Sequence, residues 1–328
     1  MDMFNVLSKR IVLFTVLPVL ICSTLLSLFS YLWFQHTLQK QFEQLALSYF
    51  QSSSDSLTQY LHYSEEMSKW ITNNPKVAKA ISETEHLKEV STIFDQMIYN
   101  NNVDISGVTI YKKNGDIYTP SRTSHVPSFS QLIENTNLKA FTQNTQKKYI
   151  WISRYQSISS FYNNRYSNDG IFSYILKLYD TDNQLLGYIV VDLDLKTLYD
   201  FFQTSNKLFN KSQVFMIRDQ KDIAGSTKSA TIKLNPNDLS KMNQKNDGTF
   251  ISNDRKQLIM FDTMMDSNTK IVMSIPTKNA YQYSVLFKAL LILFTILFTF
   301  SSLYIGIALK KSIIEPITRL YQKMQAFK

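Results

Sequence analysis

Six residues near the middle of the chain carry side chains able to hold a small polar molecule: Trp151, Arg154, Tyr155, Tyr174, Lys177 and Asp192. They lie in or beside three segments that read as neighbouring strands, Tyr149–Arg154, Ile171–Tyr179 and Leu185–Leu193. An aromatic surface flanked by a cation and a carboxylate suits a sugar, a peptide end or an amino acid. Each residue also has a plainer reading: Trp151 and Tyr174 as core, Arg154 and Lys177 as solvated surface.

Other chemistry is poorly served. The four histidines (His36, His62, His86 and His125) are scattered, and the only cysteine, Cys22, sits inside an apolar run. No compact nucleophile–base pair, metal-ligand spacing or nucleotide-binding glycine motif occurs, which argues against an extracellular hydrolase and predicts no cofactor. With one cysteine there is no disulfide within the chain, so packing must supply the stability. A formal charge of +9 raises the question of nucleic acid. Eight of the basic residues, however, flank the apolar ends: Lys9, Arg10, Lys288, Lys310, Lys311, Arg319, Lys323 and Lys328. Asp2 and Glu315 are the only acids there, so the long middle is nearly balanced and nucleic-acid binding is not expected.

Two apolar runs can each cross a bilayer. Ile11–Phe34 and Ala289–Leu309 carry no formal charge, and about 20 apolar residues suffice for a spanning helix. The first run is longer than a signal-peptide core, and the weak Ser27–Ser30 site does little for cleavage, which favours an uncleaved anchor. Pro18 is expected to kink it. Lys9-Arg10 precedes the first run and Lys310-Lys311 follows the second, which predicts two cytoplasmic ends and an external middle.

The middle begins with apolar residues at helical spacing (Leu38, Phe42, Leu45, Tyr49), predicting a long helix over 36–72 that Asn73-Asn74-Pro75 ends. A second helix is expected over 76–100. Two runs of five short strands follow, with turn signals such as Lys113-Asn114-Gly115-Asp116 and Asp180-Thr181-Asp182-Asn183 between them. Ser130–Thr142 and Pro236–Met242 read as helices inserted between strands. The fold class is therefore α+β: two transmembrane helices around two antiparallel α+β units.

At this point the sequence resembles a known family. Ile171–Ile175 through Asp180, then Gly187-Tyr188-Ile189-Val190-Val191-Asp192-Leu193-Asp194-Leu195, resemble the distal unit of the double-Cache (dCache) ectodomain of bacterial sensors. Val214–Asp219 and Ile271–Pro276 resemble the opening and closing strands of its proximal, smaller PAS-like unit. Ile313-Ile314-Glu315-Pro316-Ile317-Thr318-Arg319-Leu320 resembles the start of a HAMP relay helix, in wording closest to YesM-like sensor histidine kinases. Independently of any family, Ile317, Leu320, Met324 and Phe327 step as an a/d seam, and Pro316 suits a first helical turn.

The resemblance implies a layout: 1–10 cytoplasmic, 11–34 first span, 35–284 external dCache domain, 285–309 second span and 310–328 the start of a HAMP helix. Within the ectodomain the distal unit takes 76–205 and the proximal unit 208–278. It implies that Asp192 meets a ligand amine, whereas the arginine expected two residues before the Trp position is replaced by Tyr149, which weakens a free amino acid as ligand. It also implies the plasma membrane of a bacterium, a homodimer, and either a direct ligand (sugar, peptide or other small molecule) or a solute-binding protein docked on the loop with Phe161, Tyr162, Arg165 and Tyr166. Pro316, Ile317, Leu320, Met324 and Phe327 would relay the signal. A response regulator would be reached only through a kinase transmitter beyond Lys328, so this stretch of chain is not expected to be an enzyme. A chemoreceptor front half and a standalone membrane binding module are the alternatives.

Overall fold

The computed structural model describes residues 2–82, 87–100, 105–120, 126–134, 136–154, 170–180, 182–218, 222–225, 234–265, 269–280 and 284–326. Helix α1 (Asp2–Asn73) is continuous from the first apolar run into the expected outer helix, through Pro18. Apart from Pro18 that stretch holds no proline or glycine until Asn73-Asn74-Pro75, where α2 (Pro75–Ser82) starts with proline in its tolerated first turn. Of the helix expected over 76–100 the structure describes α2 and α3 (Leu87–Asn100), and 83–86 lie outside the described residues.

Residues 45–277 form one compact body containing two sheets. The first holds β1 (Ile105–Lys112), β2 (Ile117–Tyr118), β3 (Tyr149–Arg154), β4 (Ile171–Tyr179) and β5 (Leu185–Asp194), ordered β2-β1-β5-β4-β3. The second holds β6 (Gln213–Arg218), β7 (Asp222–Gly225), β8 (Gly248–Ile251), β9 (Gln257–Thr263) and β10 (Thr269–Pro276), ordered β7-β6-β10-β9-β8. All pairings are antiparallel and the two orders are the same, so one plan is used twice. The β1–β5 pairing needs Gly187, because a Cβ there would lie 2.2 Å from the Tyr111 carbonyl oxygen.

Helices fill the same slot in each unit, between the second and third strands in chain order. In the first unit these are α4 (Phe129–Leu132) and α5 (Thr136–Gln143); in the second, α7 (Pro236–Asn243). The single helix expected over Ser130–Thr142 is thus split, since Asn135-Thr136-Asn137 favours turns and caps over a helix interior. Ser128 and Gln131 form a capping box that starts α4. Helix α6 (Leu195–Asp200), capped by Asp194, closes the first unit.

Strand alternation gives each sheet two buried faces. In the first sheet, Tyr111, Ile152, Ile175, Tyr188 and Val190 pack with Leu132 of α4 and with Leu138 and Phe141 of α5. In the second, Phe215, Ile217, Ile259, Phe261 and Val272 pack with Met242 of α7. The reverse faces meet the outer part of α1. Trp151 Nε1 donates to Glu65 at 2.8 Å, and Ser54 donates to Asp262 at 2.5 Å. Tyr60 packs on Phe201 and Phe50 on Phe202, with ring centroids 5.3 and 5.5 Å apart.

A second body comprises residues 1–44 and 278–328. Helix α8 (Ser284–Leu309) lies along α1, with Ser27 and Thr295 hydroxyls 3.0 Å apart and the Phe34 and Phe287 rings stacked at 3.9 Å. Both helices are long and apolar enough to cross a membrane. A π-helical turn, Lys310–Ile314, joins α8 to α9 (Glu315–Ala326) without a break. Pro316 therefore sits inside a continuous helix, and not at a fresh start as expected from the sequence.

Candidate ligand-binding site

The register of the first sheet sorts the six candidate residues. Arg154 is opposite Ile171, Ser173 opposite both Ile152 and Asp192, and Lys177 opposite Tyr188. Because successive residues point to opposite sides, Arg154, Ser173, Lys177 and Asp192 share the face covered by α4 and α5. Trp151 and Tyr174 point the other way. The Trp151 ring stacks on Phe172 at 5.0 Å, lies 4.9 Å from Tyr174, and bonds Glu65 of α1. These two aromatics are core against the long helix and do not converge with the charged residues. Tyr155 and the loop with Phe161, Tyr162, Arg165 and Tyr166 lie outside the described residues.

Three of the face-sharing side chains form a closed polar triangle. Arg154 donates through Nη2 to Asp192 Oδ1 and through Nε to Ser173 Oγ at 2.9 Å, while the Ser173 hydroxyl donates to the same Asp192 oxygen. Arg154 is 8% exposed, Asp192 3% and Ser173 fully buried, so Arg154 is not the solvated surface residue of its plainer reading. A buried charge is tolerated when paired and hydrogen-bonded, and here opposite charges and a hydroxyl satisfy one another. Tyr111 stands in the same field. Burial pushes its phenol well above the ordinary range; the Asp192 carboxylate adds to the rise and the Arg154 guanidinium opposes it.

Lys177 shares the face but serves α5. Its ammonium donates to the Asn144 carbonyl just past the helix end and lies 4.5 Å from the Phe141 ring centroid. Burial lowers its pKa. The second unit repeats the device. Lys270 on β10 donates to the Lys245 carbonyl at 2.6 Å just past α7, and sits 5.4 Å from the Phe261 ring centroid. Both lysines meet the negative end of a helix, where orphan carbonyls accept a cation.

The two units differ where the triangle lies. Ser173 and Tyr111 were not singled out from sequence, although Ser173 interrupts the apolar run Ile171–Leu178 and shares the parity of Lys177. On the α7 side of the second sheet Phe215, Ile259, Phe261 and Val272 are core, and the polar side chains beside them, Ser274 and Gln257, are uncharged and hydrogen-bonded to each other. Only the first unit places an arginine and a carboxylate on its covered face, among the described residues.

Two five-stranded antiparallel sheets of one strand order, both packed on the outer part of α1, make a tandem α+β domain. The chain belongs to the Cache domain family, which it matches over residues 30–283. No curated protein sequence matches it. Among solved structures it is similar to the extracellular domain of a protein described as a histidine kinase, vpHK1S-Z8, at 9% identity and TM-score 0.56, covering 76% of this chain and 96% of that one. A domain of a protein described as sensory box/GGDEF, from Vibrio parahaemolyticus, aligns at 10% identity and TM-score 0.56, covering 75% and 100%. The extracellular domain of rpHK1S-Z16, also described as a histidine kinase, aligns at 15% identity and TM-score 0.50, covering 74% and 98%. At such identities the likeness is one of fold.

Proposed function

We propose that this chain is the sensing and transmembrane half of a dimeric bacterial histidine kinase, and that its ligand is read on the α4–α5 side of the first sheet. The observation that carries the site is the buried, charged Arg154–Ser173–Asp192 triangle, where the same side of the second sheet carries the uncharged Ser274–Gln257 hydrogen bond. The first unit is then the reader and the second a structural coupler. Residues 35–284 lie outside the plasma membrane, with both chain ends in the cytoplasm. This rests on the basic flanks Lys9-Arg10 and Lys310-Lys311 around two apolar helices. The signal leaves through the Ile317, Leu320 and Met324 face of α9 towards a transmitter and its response regulator; catalysis belongs to that transmitter. Phe327, the last member of the expected seam, lies outside the described residues.

The triangle also bears on ligand chemistry. Asp192 already holds a guanidinium, so a ligand ammonium must compete with Arg154 for it. A ligand carrying both a donor-rich group and an acceptor, such as a sugar hydroxyl array or a peptide end, can bond Asp192 and Arg154 together without separating their charges. A thermal-shift screen of the membrane-reconstituted chain against sugars, amino acids and peptides tests this. A hit abolished by Asp192→Asn and by Arg154→Gln supports the site. A hit untouched by both would move it elsewhere. The second reading, a chemoreceptor front half, shares every feature above. A long cytoplasmic coiled coil following Lys328 in the gene, in place of a phosphoacceptor helix, would select it.

A further inference from the structure

Between α8 and α9 the backbone leaves α geometry for one turn. The Glu315 N–H bonds to the Lys310 carbonyl, five residues back where an α-helix reaches back four, and Lys310–Ile314 is π-helical. The cause stands next in the chain. Pro316 has no N–H to give the Ser312 carbonyl, and in a regular helix its ring would collide with that carbonyl. Widening the turn upstream relieves the collision at the cost of accommodating one extra residue.

That extra residue has a rotational consequence. An α-helix advances about 100° and 1.5 Å per residue. A helix carrying one surplus residue in a π turn presents everything downstream about 100° behind where uninterrupted α geometry would place it. The face of α9 bearing Ile317, Leu320 and Met324 is exposed at 58%, 63% and 71%. If the turn at Lys310–Ile314 became α-helical, each direction in space would receive the residue one earlier. Pro316, Arg319 and Lys323 would then stand where Ile317, Leu320 and Met324 had been. One direction would change from an apolar stripe to a stripe with two cations, the largest contrast that α9 offers.

We propose that Lys310–Ile314 is a two-position rotary joint, held in its π setting by Pro316, and that its α setting turns α9 by about 100° to replace an apolar face with a cationic one. This deepens the relay half of the function proposed above, but it concerns only the geometry of one helix and requires no ligand. A motion of this kind turns a small change in the strain on α8 into a discrete choice between two faces, as bistable packing requires.

The test uses the full chain in lipid nanodiscs, with Cys22→Ser in the background and paired nitroxide labels. Across an uninterrupted α-helix, residues 307 and 318 lie three turns apart on one side; across the π turn, 307 and 319 do. The 307–319 pair is therefore expected to be the closer in the parent chain. Pro316→Ala, a benign change for an exposed helix, should invert the order and make 307–318 closer. Deleting Ser312 in the Pro316→Ala chain removes the surplus residue and should restore the parent orientation of α9. A closer 307–318 pair in the parent chain, or an order indifferent to Pro316→Ala, would overturn the joint. A failed ligand screen would leave these distances untouched, so the two proposals fail separately.

Discussion

At the scale of single residues, the Arg154–Ser173–Asp192 triangle is a buried ion pair whose members need each other. Removing one partner strands a charge, at a cost of roughly 3–5 kcal/mol, whereas replacing both with apolar residues of similar volume is often neutral. Asp192→Leu and Arg154→Met are each expected to lower the midpoint of thermal unfolding markedly. The double variant should recover most of that loss. If the double variant is as damaged as the sum of the two, the charges do not depend on one another. Tyr111 gives a second, pH-resolved expectation. Its phenol is raised by burial and by Asp192, so the folded state binds the proton more tightly than the unfolded chain. The resulting stability is complete below the unfolded value of about 10 and declines as pH rises beyond it. Tyr111→Phe removes that decline, so its stability relative to the parent should improve steadily above about pH 10 in alkaline melts. Read from sequence, Trp151 and Arg154 group in one site, although the two are three residues apart on one strand and alternation sends them to opposite faces. What sequence could not reveal was that Arg154 folds back onto Asp192 from two strands away.

At the scale of elements, strands were the easiest to read and helix junctions the hardest. The strands bounded from sequence, Tyr149–Arg154, Ile171–Tyr179 and Leu185–Leu193, match β3, β4 and β5 to within a residue, and the turn signals Asn114-Gly115 and Asp180–Asn183 fall between strands. Gly115 takes φ 97° and Asn183 φ 62°, conformations that these residue types tolerate. Junctions inside helical patterns left weaker marks. The π turn before Pro316 looks like a simple start in sequence, since proline is equally at home at a first helical turn. The paired lysines were hidden for another reason: their targets are main-chain carbonyls, which every sequence possesses. Each lysine joins a strand to the end of a neighbouring helix. A hydrogen bond from a charged donor contributes about 1.5–3 kcal/mol, partly offset here by the burial that lowers both lysines' pKa values. Lys177→Met and Lys270→Met are therefore each expected to cost about 1 kcal/mol. The loss should be local, appearing as faster amide exchange in the last turn of α5 for the first and of α7 for the second. Uniform acceleration across the chain would mean that the lysines support the global fold and not these helix ends.

At the scale of the molecule, the question is whether two units built on one plan behave as one. Taken alone, each sheet has a core of its own beneath α4–α5 or α7. Their reverse faces, however, are completed by a single helix. Glu65 of α1 takes the Trp151 indole of the first sheet, Ser54 takes Asp262 of the second, and Tyr60 and Phe50 pack on Phe201 and Phe202 between them. Tyr49 of the same helix stacks on Phe209, just before the second sheet begins, at 5.0 Å. Unfolding either unit would expose the apolar side of α1 that the other also uses, so the two should melt together. The chain's three tryptophans make this measurable. With Trp33 and Trp70 replaced by phenylalanine, Trp151 alone reports on the first sheet. Phe261→Ala, deep in the second unit's core at 2% exposure, should cost about 3–5 kcal/mol there. A shared spine predicts that the Trp151 transition moves down in temperature with it, as one cooperative step. Were the Trp151 melt to stay in place while the second unit unfolds early, α1 would be a tether between independent modules. A ligand bound to the first sheet could then influence the second only through the chain between them.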